Sequence, residues 1–373
     1  MTRENETTTI RPGGHRLPEL DGLRAWAITA VLFGHLGISF FIGGGLGVEL
    51  FFVLSGFLIT HLLLREYDRR GSIDLLAFYR RRAWRLLPAL VVMLVLVNLA
   101  TAIQDPPGGL LRANLIGSIW TLGFAANWTH EWIGSYIHLW SLGIEEQFYI
   151  FWAPIVILLV PRLNRSRGAV VLVVLALLDI GLRAGFYLGD VVSLGTLHNA
   201  TYTHVYGLMT GAALAMALTR EGAISLPNWS RWLGRLSLPA MLLLTLALAI
   251  RIDSPVVSVT VVLPILILAC AVLVGGVVVG GGPWTAVLRL APVVWVGRIS
   301  YSLYLWHLPV YVAMDYLLWV QAHMFWAGAI KIGLSVALAA ASFHLVERPL
   351  LRRYASRDST GVKGDLTPAT ATT

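Results

Sequence analysis

The chain has 373 residues, of which 57% are hydrophobic and only 13% charged, with a mean hydropathy of +0.73. A soluble domain carries about 25% charged residues, so an ordinary water-soluble globule is excluded. The net charge of +8 lies in loops flanking apolar runs, where positive-inside topology accounts for it better than nucleic-acid binding does. A single cysteine, Cys270, excludes an intramolecular disulfide, and no Cys/His grouping has zinc spacing.

In chain order, residues 1–16 are polar and read as a cytoplasmic tail without a cleavable signal peptide. A membrane-spanning helix needs about 20 apolar residues. Candidate runs follow at 23–41, 46–64, 86–104, 139–160, 168–188, 203–219, 236–251, 256–279, 293–319 and 325–346. An eleventh, 110–127, is interrupted by Asn114, Gly117, Ser118 and Gly123. Arginine placement decides that case. Arg65, Arg69, Arg70, Arg80, Arg81, Arg82 and Arg85 fall in one loop, which is expected to be cytoplasmic. If 110–127 does not span, the loops with Arg162, Arg165 and Arg167, with Arg220, Arg231 and Arg235, and around Arg289 are cytoplasmic too. The predicted fold is therefore all-α, a polytopic membrane bundle of about ten transmembrane helices with both termini cytoplasmic. Residues 105–138 form an outer or re-entrant segment, 17–353 the membrane domain and 354–373 a disordered tail. No internal repeat is evident, so an inverted-repeat transporter gains no support.

Ionisable residues inside spans are costly and point to function. Arg24 and His35 are eleven residues apart, three helical turns, and share one face about 16 Å apart along the axis. Asp21, three residues before Arg24, is expected to pair with it. A lone histidine in a bundle is more often a hydrogen-bonded core residue than a catalyst. His138, Ser141, Glu145 and Tyr149 form one polar stripe, with Glu146 about 100° away; Ser300, Tyr304, His307 and Tyr311 repeat the spacing. Such stripes either line a polar cavity or join helices by hydrogen bonds. Asp179 and Arg183, at i and i+4, read as a structural ion pair. Glu49 either lines a cavity opposite His35 across the short hairpin 42–46 or lies near the outer surface. Arg81, Arg82 and Arg85 either anchor a helix end to anionic headgroups or grip a phosphorylated ligand.

These blocks resemble a known family. DGLRAWAITAVLFGH (21–35), GLGVELFFVLSGFLIT (45–60), FYRRRAWRLLPA (78–89), HLWSLGIEEQFYIFW (138–152), ISYSLYLWHLPV (299–310) and VERPLLRR (346–353) resemble, in order, the motifs of the membrane-bound acyltransferase family 3. The extra arginine, Arg80, leaves open which guanidiniums meet phosphate.

The resemblance implies a stand-alone enzyme of the bacterial cytoplasmic membrane. It moves an acyl group, usually acetyl, from acyl-CoA as co-substrate to a hydroxyl, with no covalently bound cofactor, no metal and no nucleic-acid partner. Its site residues are His35 as general base, Glu145 or Glu146 orienting it, and Arg24, Arg81, Arg82 and Arg85 toward the CoA. Asp21, Glu49, His138, Ser141, Ser300, Tyr301, Tyr304 and His307 are expected around the substrate. Arginine so outnumbers lysine (Lys331 and Lys363 are the only two) that GC-rich coding, and a secondary metabolite such as a macrolide, is the expected acceptor. A cell-envelope polysaccharide is the alternative. A covalent acyl-histidine, a non-catalytic transporter or flippase, and an acyl-CoA sensor remain open readings.

Overall fold

The computed structural model of the chain describes residues 17–104, 109–129, 133–316 and 324–353. The tails expected at 1–16 and 354–373 lie outside the described residues, as does part of the outer segment 105–138. The described chain is nearly all helical; its strands are one short antiparallel pair, Thr219–Arg220 with Ala223–Ile224. Six of its helical stretches are long and apolar enough to cross a membrane: Leu46–Arg70, Leu75–Gln104, Gly134–Leu159, Arg165–Leu188, Ser258–Val278 and Trp326–Arg353. The other apolar runs fold into shorter, broken or more charged helices.

The chain divides into two compact units, Met1–Leu75 with Gly108–Ser300, and Leu76–Pro107 with Tyr301–Thr373. The first holds α1 (Pro18–His35), α2 (Leu46–Arg70), α4 (Leu110–Leu122), α5 (Trp140–Leu159), α6 (Arg165–Leu188) and α7 (Leu194–Asn199). It continues through α8 (Tyr206–Leu218), α9 (Ser230–Ala247), the single turn α10 (Pro255–Val257), α11 (Leu263–Val278) and α12 (Ala291–Arg298). The second holds nearly all of α3 (Leu75–Gln104), with α13 (Ser300–Asp315) from Tyr301 onward and α14 (Met324–Ser342).

With lipid outside the bundle, apolarity alone does not drive helices together, and small residues set the close contacts. α2 and α8 cross backbone to backbone. A methyl group at Gly56 would overlap the Leu208 carbonyl oxygen, and one at Gly211 would overlap the Val53 carbonyl oxygen. α1 meets α2 the same way, Gly47 against the Ala27 carbonyl and Gly44 against Gly34 and the Ala30 carbonyl. A core of Leu23, Leu50, Leu54, Phe57, Leu244 and Leu273 then joins α1, α2, α9 and α11. The interrupted run 110–127 becomes α4, a helix of 13 residues, and the run 203–219 becomes α8, equally 13 residues long.

Candidate functional site

His35 is the last residue of α1 and its side chain is exposed. Its Nδ1 lies 2.9 Å from the Val31 carbonyl oxygen, one turn back. A carbonyl oxygen only accepts, so Nδ1 carries the proton and donates it. In the neutral ring the lone pair is then on Nε2. A backbone carbonyl of the same helix thus fixes the ring tautomer.

Glu145 and Glu146 occupy the second turn of α5. Glu145 accepts from Ser55 Oγ on α2 at 3.1 Å and from Tyr149 OH at 3.5 Å, while Glu146 is buried. Ser141, Glu145 and Tyr149 do share a face. His138 does not extend that stripe as an α-helical position, because Gly134–Leu139 is a 3-10 helix, whose tighter winding shifts the phase before α5 begins.

Glu49, in the first turn of α2, is drawn into a different cluster. The register of α1 against α2 sets it level with residues about two turns before His35, roughly 12 Å along the axis at 1.5 Å per residue. It therefore does not stand opposite His35. Its Oε1 instead accepts from His204 Nε2 at 3.0 Å and from Tyr206 OH at 2.8 Å. His204 Nδ1 lies 3.2 Å from Arg183 Nη1. A guanidinium only donates, so His204 Nδ1 accepts, Nε2 bears the proton, and the ring is locked as one neutral tautomer between Arg183 and Glu49. Arg183 Nη1 also donates to the carbonyls of Leu197 and Thr203.

Two expected local pairs are replaced by distant ones. Asp179 makes no direct ion pair with Arg183; its carboxylate accepts from the Tyr206 backbone N–H at 2.9 Å and so caps the start of α8. Asp21 pairs with Arg298 of α12 at 3.5 Å rather than with Arg24, beside the point where Gly297 packs on the Asp21 backbone. Arg24 itself is half-buried on α1. Ser300 is buried at the start of α13.

In the second unit, Arg81, Arg82 and Arg85 lie on α3, the first two half-buried and the third exposed. Arg85 is within Coulombic reach of Glu347, whose carboxylate also accepts from Ser302 Oγ. Tyr301, Tyr304 and His307 lie on α13. Tyr301 OH donates to the Leu86 carbonyl at 2.9 Å, which ties α13 to α3. His307 is fully buried, and its Nδ1 lies 2.8 Å from the Tyr304 carbonyl, so it too is protonated on Nδ1. Its ring meets Tyr304 at 5.7 Å and Tyr311 at 5.8 Å, as the predicted stripe requires.

His204 and Tyr206 are the residues that sequence reasoning missed. The available signal was Glu49 itself: an acid in the first turn of an apolar helix needs donors, and His204-Val205-Tyr206 offers two next to a helix start. Among the described residues no group of three or more His, Cys, Asp or Glu side chains could hold a metal ion.

A family model described as an acyltransferase domain (acyltransferase family 3) matches residues 17–344. The peptidoglycan O-acetyltransferase OatA of Listeria monocytogenes is 28% identical over 364 residues, covering 92% of this chain and 57% of the relative. O-acetyltransferase OatA of Staphylococcus aureus is 29% identical over 364 residues, covering 90% of this chain and 57% of the relative. The chain thus spans 57% of the length of these curated relatives. No solved structure matches it at a significant level.

Proposed function

We infer that this chain, which belongs to acyltransferase family 3, is a multi-pass membrane O-acyltransferase that moves an acetyl group from acyl-CoA to a hydroxyl of a cell-envelope glycan. The glycan replaces the macrolide as the favoured acceptor because the relatives are named as O-acetyltransferases, one of them acting on peptidoglycan. The observation that carries the chemistry is the bond from His35 Nδ1–H to the Val31 carbonyl, which leaves Nε2 as the basic nitrogen on an exposed side chain.

In the proposed reaction, His35 Nε2 takes the proton of the acceptor hydroxyl as the oxygen attacks the thioester carbonyl. The tetrahedral adduct collapses, the carbon–sulfur bond breaks, and the imidazolium returns its proton to the departing CoA sulfur. Arg81, Arg82 and Arg85 take the donor's phosphates, for which guanidinium is suited by charge and bidentate geometry. Arg24 and Glu145 are assigned to positioning donor and acceptor. In this reading the membrane is the bacterial cytoplasmic membrane, the bundle has ten spans, and both termini face the cytoplasm, as the arginine asymmetry of the loops requires.

The test is purified protein in lipid vesicles with acetyl-CoA, with and without soluble glycan fragments. CoA thiol release is followed together with mass spectrometry of the acceptor. Acceptor-dependent thiol release with a gain of one acetyl group on the glycan is expected. Glycan movement without CoA release would replace this reading with a flippase, and CoA binding without turnover would replace it with a sensor.

A further inference from the structure

We propose that the groove between α5, α6 and α8 holds one acyl chain of an anionic glycerophospholipid, with its phosphate seated on the arginines at the groove's end.

The groove is a cavity of about 450 Å³, within the range of built small-molecule sites. Its walls are apolar: Phe151, Ile155 and Leu159 from α5, Val171 and Leu175 from α6, and Met216 from α8. Phe151 is 68% exposed and Leu175 42% exposed, so the groove opens sideways, along helices read as membrane spans. Gly168 lines it at the arginine end, where the absence of a side chain lets Met216 Sδ pack close to the α6 backbone. A lateral apolar slot in a membrane bundle presents itself to hydrocarbon chains rather than to water.

The charge at one end selects the headgroup. Arg165 lines the groove itself. It contacts Asp68 and donates to the Thr219 carbonyl at 2.8 Å. Arg220 donates to that same carbonyl at 2.9 Å, which brings the two guanidiniums together. Burial and the neighbouring Arg165 charge lower the Arg220 pKa, and Asp68 offsets this only in part. Arg162 and Arg167 are exposed on either side of Arg165. Two guanidiniums, Arg165 and Arg220, thus meet where Asp68 is the carboxylate in contact, and a phosphate diester would relieve that imbalance. Basic pockets between membrane helices bind anionic headgroups on this principle.

The test uses full-length protein, delipidated in mild detergent and then incubated with phosphatidylglycerol or phosphatidylcholine of equal chain length. Retained lipid is counted by native mass spectrometry. One phosphatidylglycerol per chain is expected, with at least a tenfold preference over phosphatidylcholine. Leu175→Trp fills the slot and should lower retention about tenfold, whereas Val170→Trp, at an exposed α6 position that does not line the groove, should leave it unchanged. The double variant Arg165→Ser/Arg220→Ser should abolish the headgroup preference and spare phosphatidylcholine retention. Equal retention by Leu175→Trp and Val170→Trp, at equal melting temperatures, would overturn the groove. Equal retention of the two lipids by the unaltered protein, or preferential retention of a polyprenyl phosphate, would overturn the headgroup assignment. The readout is lipid retention rather than acyl transfer, so this inference and the proposed activity fail separately.

Discussion

Replacement of His35 tests the proposed general base at little expected cost to folding. The side chain is exposed at a helix end, and its bond to the Val31 carbonyl at 2.9 Å is local to the helix. Losing such a bond costs about 1 kcal/mol of stability. Losing a general base costs about 10²–10⁴ in rate, or roughly 2.7–5.5 kcal/mol at 1.36 kcal/mol per tenfold. His35→Ala should therefore reach the membrane at ordinary levels, melt within a few degrees of the parent, and transfer acetyl at least about a hundredfold more slowly. His35→Asn sharpens the test. Its Nδ2 can donate to Val31 as Nδ1 does, but it has nothing at the Nε2 position, so it should be as inactive as the alanine variant. The assay is single-turnover CoA release in vesicles, which excludes product release from the rate. If His35→Asn kept a tenth or more of the parental rate, Nε2 would not be the base, and the histidine would matter only for shape.

Other outcomes follow from the packing and the polar clusters. Gly56→Val should destabilise the α2–α8 crossing by about 1–3 kcal/mol, read as a lower melting temperature in detergent, because its new side chain meets the Leu208 carbonyl and neither backbone can withdraw. Arg183→Met should cost about 3–5 kcal/mol or prevent accumulation, since it leaves Glu49 without its nearby cation and His204 Nδ1 and the Leu197 and Thr203 carbonyls without that donor; Glu49→Gln, which keeps an acceptor for His204 and Tyr206, should be milder. Trp152→Phe removes the indole donor to Thr60 Oγ1, 2.8 Å away, and should cost about 1–3 kcal/mol by leaving that buried hydroxyl unsatisfied. Arg82→Ala is expected to raise the KM for acetyl-CoA at least about tenfold with little change in melting temperature, as loss of a phosphate contact would; an unchanged KM would remove Arg82 from the donor site.

Sequence by itself determined what depends on local chain geometry. Apolar run length placed α5 and α6 to within a few residues, but α3 begins eleven residues before its run and the run 293–319 divides into α12 and α13. The Ser300–Tyr304–His307–Tyr311 stripe survived because α13 is regular across it. Even the His35 tautomer rests on a residue one turn away, so it is legible once α1 is known to be regular there. The tertiary structure decided the partners of three carboxylates. Asp21 found Arg298, Asp179 found the start of α8, and Glu49 found His204, 155 residues distant. Spacing along one helix offers only neighbours at i±3 and i±4, but a buried carboxylate takes whichever donor the helix crossings bring within reach. Those crossings are set by pairs of small residues such as Gly56 and Gly211, whose partnership spans two helices far apart in sequence and exists only once the bundle has formed.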